Sequence, residues 1–205
     1  MEDDFEFLGI SREFMDFPKV ADQYDGLLVI LGSGKCVWED YRKVDREHDI
    51  MCVNDIIMHF PERIAHAYSN DHRMLPHWVR ARRPRLKSLY GEIKHVHTNK
   101  TQPAKLAAHV WPWPGHGSSG LNAVYTGIGL GYDEIWLCGI PLDNSGHYFD
   151  PPWIRTNFIN EVSQRNMGNG DAPKHWGMAK RRIFKGRVKS FSGRTKDLLG
   201  SPEET

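Results

Sequence analysis

Gly115-His-Gly-Ser-Ser-Gly-Leu-Asn-Ala-Val-Tyr-Thr-Gly-Ile-Gly-Leu-Gly-Tyr-Asp-Glu-Ile-Trp-Leu-Cys-Gly-Ile140 is the stretch on which the reading of this chain turns. Small residues open it, a mostly apolar run follows, Gly131-Tyr-Asp133 turns the chain, and Ile135–Cys138 is a short apolar segment. The pattern predicts loop, helix, tight turn and buried strand. Ser118 and Ser119 fall where the helix begins. Free N–H groups there, at the positive end of the helix dipole, favour an anion. Gly131 is placed to close the helix. Such loop–helix–strand units bind phosphates in α/β proteins, although Ser118 is also a good N-cap and a capping role alone would account for it. A second loop of the same sort, near the N-terminus, tips the reading toward a ligand site.

That loop, Gly32-Ser-Gly34, ends the continuous apolar run Gly26-Leu-Leu-Val-Ile-Leu31, as expected of a central parallel strand buried on both faces. Further elements follow in alternation: a helix over Val37–Val44, a strand over Ile50–Val53 ending at Asn54-Asp55, and a short helix up to Pro61. Ile64–Tyr68 reads as a strand ending at Ser69-Asn-Asp71, where Asp71 can cap a helix through Trp78 and Val79. Ile93–Val96 is a fourth strand. Residues 99–117, with Trp111-Pro-Trp-Pro114, read mostly as loop because proline blocks both helix and ladder. Pro141–Lys174 is a long excursion carrying a helix near Ile154–Gln164, and Val188–Phe191 is the last strand, before a short terminal helix.

Strands separated by helices predict a single Rossmann-like, doubly wound, mostly parallel sheet over residues 1–205. Residues 1–24 form an N-terminal extension and 141–174 a lid or acceptor segment. In such sheets ligands sit outside the carboxyl ends of the strands, at the switch point. Gly32, Ser33, Gly34, Asn54, the Ser69–Asp71 loop and Ser118–Gly120 all fall at strand ends or beside them. That convergence argues for a nucleotide site. Two familiar labels do not fit the glycine loop. A P-loop needs glycine where Val29 stands and Ser or Thr where Cys36 stands; a dinucleotide fingerprint needs Gly or Ala at Val37. The second strand ends in Asn54 rather than an acid, with Asp55 one residue late.

With 205 residues, 40% hydrophobic and 26% charged, the chain has the composition of a soluble domain able to bury a real core. No run approaches the ~18 apolar residues of a membrane span. The acidic start Met-Glu-Asp-Asp-Phe-Glu is not a secretory signal. Cys36, Cys52 and Cys138 lack paired spacing and read as reduced thiols, so a cytoplasmic location is expected. Net charge is only +1, yet Ala172–Lys196 holds nine Lys or Arg and no acid. This is either a solvated basic face or a contact for an anionic partner, a glycan or nucleic acid.

Taken in order, Leu28-Val-Ile-Leu-Gly-Ser-Gly34, Cys52-Val-Asn54, Ser69-Asn-Asp71 and Ser118-Ser-Gly120 through Ile140 resemble two related groups. One is the bacterial sialyltransferases that modify lipooligosaccharides. The other is the MptE-like Rossmann family, typified by a 6-hydroxymethylpterin pyrophosphokinase. The resemblance spans about Gly26 to Gly200. The sialyltransferase likeness implies that Gly32, Ser33, Gly34, Asn54, Ser118 and Ser119 hold a cytidine nucleotide. It further implies that Tyr148 contacts the leaving phosphate and that a late histidine is the general base. Asp171-Ala-Pro-Lys-His175-Trp-Gly-Met-Ala-Lys180, expected just before a helix and the final strand, resembles the setting of that base. The chain departs from both groups in carrying Pro141 where an acid usually follows the Gly-Ile, with Asp143 two residues later.

For transfer of a sugar from a CMP-type donor, a base must take the acceptor's proton, and histidine, with a pKa near ~6.5, suits the task. His175 is the first choice and His147 the second. Ser118–Gly120 amides, Tyr148 and Lys35 would meet the donor phosphate. His95-x-His97 has a metal-ligand spacing, but on a strand it is also simply two side chains on one face. A transferase of this kind is expected to need no metal or other cofactor. The alternatives are a pyrophosphokinase using Mg2+, with Asp71 and Asp143 as candidate ligands, and a non-catalytic nucleotide- or polyanion-binding module.

Overall fold

A computed structural model describes residues 18–82, 92–100, 106–114, 118–143, 145–149 and 172–204. The strands are β1 (Leu27–Leu31), β2 (Asp49–Val53), β3 (Ile64–Tyr68), β4 (Ile93–Thr98), β5 (His109–Val110), β6 (Glu134–Cys138) and β7 (Val188–Ser190). They form one sheet in the order β5-β4-β3-β2-β1-β6-β7, with every neighbouring pair parallel. The helices are α1 (Val37–Tyr41), α2 (Ile56–His59), α3 (Leu75–Arg82), α4 (Ser119–Leu130), α5 (Ala172–Ala179) and α6 (Gly193–Leu199). A π-helical turn, Lys180–Phe184, extends α5.

The apolar run of β1 is buried at all five positions. Because side chains alternate faces along a strand, Leu28 and Ile30 join a core with α4 and α5. Leu27, Val29 and Leu31 join a second core with α1, α2 and α3. Each such side chain contributes about 1.5–3 kcal/mol by leaving water, so β1 is the spine of both layers. Helix α4 ends at Gly131, whose φ of 110° no L side chain adopts comfortably. Residues 18–24, expected as an extension, dock on that end: the N–H groups of Asp22 and Tyr24 donate to the Gly129 and Leu130 carbonyls at 3.1 and 3.0 Å.

Two expectations need correction and a third gains a detail. Helix α1 stops at Tyr41 rather than Val44. Segment 99–117, read mostly as loop, includes a two-residue edge strand, His109–Val110, which pairs with His97–Thr98 ahead of Pro112 and Pro114. Segment 171–180, expected ahead of a helix, is itself helix α5 from Ala172 onward. The helix expected near 154–164 lies outside the described residues.

The register of β3, β4 and β5 sets His66 beside His95 and His97 beside His109, all on one face of the sheet. His66 and His97 are fully buried. The Trp111 indole, a donor only, gives its Nε1–H to His97 Nδ1 at 3.0 Å. His97 must then donate from Nε2 to His66 Nδ1 at 2.9 Å. His66 donates in turn from Nε2 to Tyr132 Oη at 2.9 Å, and Tyr132 donates to Asp49 Oδ2 at 2.6 Å. This one-way chain requires both rings neutral. Burial agrees, pushing His66 down to about 3 and His97 well below its ordinary value. His95 and His97 are thus same-face strand residues. Among the described residues no group of three or more His, Cys, Asp or Glu is arranged to hold a metal ion.

Candidate active site

The sequence of connections reverses at β1: β2 lies on one side of it and β6 on the other. Parallel sheets of this kind open a crevice outside the carboxyl ends of the strands at that point. A cavity of about 420 Å³ occupies it here, bordered by Gly32–Gly34, Val53–Asp55, Trp78, Ser118–Gly120, Gly139–Asp143 and Ser145–His147.

Its floor is backbone. Gly32 N–H donates to Cys138 O at 2.8 Å and Gly34 N–H to Gly139 O at 2.9 Å. A Cβ on Gly32 would stand 2.6 Å from Gly139 O, and Gly139 itself has φ 67° with Val37 Cβ in the way of any side chain. Asp40, 1% exposed, fixes this turn from below. Its carboxylate accepts the Gly139 N–H at 3.0 Å and the Ser192 hydroxyl. Glycine at 32, 34 and 139 is thus required by the close packing of the loop after β1 against the loop after β6, which sets the backbone that borders the cavity.

One wall is the N-terminus of α4. Ser118 is its N-cap, with Oγ accepting Leu121 N–H at 3.2 Å. The capping reading of Ser118 therefore holds, and the residue also borders the cavity. The N–H groups of Ser119 and Gly120 precede the first intrahelical bond and carry the positive end of a 12-residue helix. Ser119 Oγ accepts Asn70 N–H at 3.3 Å. Asn70 Oδ1 accepts from Tyr68 Oη at 2.8 Å and from Asn122 Nδ2 at 3.1 Å. Asn122 was not singled out in the sequence; a polar residue inside an otherwise apolar helix was the available signal.

At the end of β2, Asn54 takes a left-handed backbone, φ 62°, and its Oδ1 accepts the Ser69 hydroxyl at 2.7 Å. The 145–149 segment folds over the glycine loop through an antiparallel bridge between Gly34 and His147 and a Tyr148 N–H to Ser33 O bond of 2.9 Å. The Tyr148 ring meets Trp38 and His59 edge-on at 5.5 and 5.6 Å. Burial first, and then the Asp55 charge, push its phenol above the ordinary range.

Of the residues expected at the site, Gly32, Ser33, Gly34, Asn54, Ser118, Ser119, Gly120 and His147 border the cavity, while Lys35, Asp71, Tyr148 and His175 do not. Lys35 is exposed. Asp71 is spent on a turn, its Oδ1 accepting Arg73 and Met74 N–H, each at 3.1 Å. His175 is half-buried on α5. The next residue, Trp176, reaches the cavity wall, its Nε1–H lying 3.4 Å from Ser118 Oγ. Trp78 borders the cavity and was not expected there.

No protein-family model and no curated protein sequence matches the chain, so the MptE-like half of the resemblance rests on motifs alone. Solved structures do match. The sialyltransferase CstII from Campylobacter jejuni, in complex with cytidine-5'-monophosphate, aligns with a TM-score of 0.58 and 15% identity over 85% of this chain and 84% of that one. The sialyltransferase CST-II solved with a trisaccharide acceptor and CMP gives 0.54 and 15% over 85% of each chain. The monofunctional α-2,3-sialyltransferase Cst-I from Campylobacter jejuni gives 0.56 and 15% over 92% and 82%. At this identity the likeness is one of fold: the chain shares its α/β architecture with these bacterial sialyltransferases.

Proposed function

We propose that the chain is a glycosyltransferase using a CMP-type nucleotide sugar, with its donor in the switch-point cavity. The observation that carries the reading is the pairing of the glycine loop Gly32–Gly34 with the α4 N-terminus at Ser119 and Gly120 on one switch-point cavity. The fold it shares with sialyltransferases solved with CMP supports the same nucleotide.

In this reaction the acceptor oxygen attacks the anomeric carbon as the bond from that carbon to the phosphate oxygen breaks. Negative charge grows on the departing CMP. The Ser119 and Gly120 N–H groups and the helix dipole stabilise it without moving, the most effective kind of electrostatic help. His175 removes the acceptor proton. Its support is the anchoring of its helix to Ser118 through Trp176. His147 is the second candidate, favoured by its presence in the cavity wall.

A thermal-shift panel of CMP, CDP, UDP, GDP and ATP tests the nucleotide. A ligand at ~100 times its Kd stabilises by about 2.7 kcal/mol. Indifference to all five rejects the proposal. His175→Ala is expected to lower kcat with a CMP-sugar donor by roughly 10²–10⁴ while leaving CMP affinity intact. His147→Ala should cost less, and the opposite ranking transfers the base role to His147. Of the two carboxylates expected to hold Mg2+ in the alternative reading, Asp71 lies outside the cavity, while Asp143 borders it with its Oδ1 accepting Ser145 N–H at 2.9 Å.

A further inference from the structure

Asp55 stands at the N-cap of α2, where an Asp side chain commonly accepts a first-turn N–H, yet it makes no capping bond. Its backbone is already helical, with φ −67° and ψ −21°. The carboxylate instead borders the cavity and accepts the hydroxyl of Ser33, the middle residue of the glycine loop. It forms no ion pair with a Lys or Arg among the described residues. An ionised carboxylate offers about four acceptor positions, and Ser33 takes one of them. Asp55 is thus an oriented acceptor that the local structure leaves for a ligand.

The chemistry of the cavity limits what that ligand group is. A phosphate beside a carboxylate would be repelled, and the phosphate has its own donors at Ser119 and Gly120. A ribose is uncharged and presents two adjacent hydroxyl donors. In dinucleotide-binding Rossmann sheets an acid at the end of the second strand accepts from such a hydroxyl. Asp55 follows β2 by two residues, next to Asn54. We propose that Asp55, held by Ser33, accepts the ribose hydroxyls of the bound nucleotide and makes the site selective for ribonucleotides over deoxynucleotides. This rests on the nucleotide-sugar reading and adds the basis of its nucleotide selectivity.

The test is calorimetric titration of the full chain with CMP, 2'-deoxy-CMP and 3'-deoxy-CMP, on the parent, Asp55→Asn, Asp55→Ala and Ser33→Ala, each checked by thermal melting. The parent should bind CMP about tenfold or more tighter than at least one deoxy analogue, the usual yield of a hydrogen bond to a charged group. In Asp55→Ala CMP should fall to within about twofold of the analogues, and in Asp55→Asn, whose amide oxygen still accepts a neutral hydrogen bond, the preference should shrink severalfold. Ser33→Ala should retain part of the preference. Asp55→Asn keeps the size of the side chain, so the result stands even if Asp55→Ala fails to fold. Equal binding of all three ligands by the parent, or a preference undiminished in Asp55→Asn, overturns the ribose assignment alone. A parent that binds no ribonucleotide overturns the nucleotide-sugar reading and the assignment with it.

Discussion

Asn54 combines two tasks that pull against each other. Its φ of 62° suits asparagine or glycine, and its Oδ1 holds the Ser69 hydroxyl that in turn receives the Asp71 N–H at 2.9 Å. A left-handed backbone costs an ordinary L residue about 1–2 kcal/mol. Asn54→Ala should therefore lower stability by about that much and also weaken the nucleotide. Asn54→Gly should weaken the nucleotide with a clearly smaller loss of stability. Denaturant midpoints and CMP titrations on the two variants separate the effects; equal stability losses would mean that the backbone is not the cause. Ser119 differs, since its hydroxyl accepts only the peripheral Asn70 N–H. Ser119→Ala should leave the melting temperature nearly unchanged and lower CMP affinity.

At the scale of elements, the three-strand edge β3–β4–β5 carries a pH dependence. His66 and His97 are neutral in the folded chain, held down by burial, whereas in the unfolded chain each takes a proton near ~6.5. Below that value the unfolded state binds more protons, so stability falls as pH drops from about 6.5 toward 3, and neither histidine contributes a pH dependence above it. Each ring should cost up to about 1.4 kcal/mol per pH unit in that window. Urea midpoints between pH 7.5 and 4.5 should show this, and His66→Gln should flatten the slope; an unchanged slope would place the acid sensitivity elsewhere. Little of this was legible in the sequence. His95-x-His97 drew notice by spacing, but His66 and His109 join it only through strand register, which is a tertiary fact. Likewise β5 is two residues long and has no periodicity to read. What did show was local: the uninterrupted apolar run of β1, and the Ser118 and Gly131 boundaries of α4. The glycine loop and the serines border the cavity because strand ends in a parallel sheet must converge there. Lys35, Asp71 and Tyr148 lie beside it because sequence position does not say which way a loop side chain is turned.

The whole molecule has two ends, and its basic C-terminal stretch is divided between them. Helix α5 and its π-helical turn connect β6 to the parallel neighbour β7, so they must run back from the cavity end of the sheet to the opposite end. Trp176 touches Ser118 at the cavity, whereas the Arg187 carbonyl accepts Ile135 N–H at 2.9 Å, beside the start of β6. Arg181 and Arg182 belong to the returning turn, about 7.5 and 9 Å along the helix axis beyond Trp176 at 1.5 Å per residue. That is close to the ~8 Å over which exposed charges act at physiological salt. The Arg181 guanidinium also reaches back to 3.7 Å from where a Cβ on Gly177 would stand. A screened, secondary contribution to an anionic partner is therefore expected of this pair. Arg194 is different: its N–H donates to Pro141 O at 2.9 Å, and Pro141 borders the cavity. Reversing Arg181 and Arg182 together to Glu should weaken CMP less than the reversal of Arg194 does at physiological ionic strength. Arg194→Glu should weaken CMP severalfold, an effect that shrinks as salt is raised and the added carboxylate is screened from the phosphate. Titrations at two salt concentrations decide the matter. A larger loss from the Arg181/Arg182 pair than from Arg194 would assign the main anion contact to the turn that follows α5.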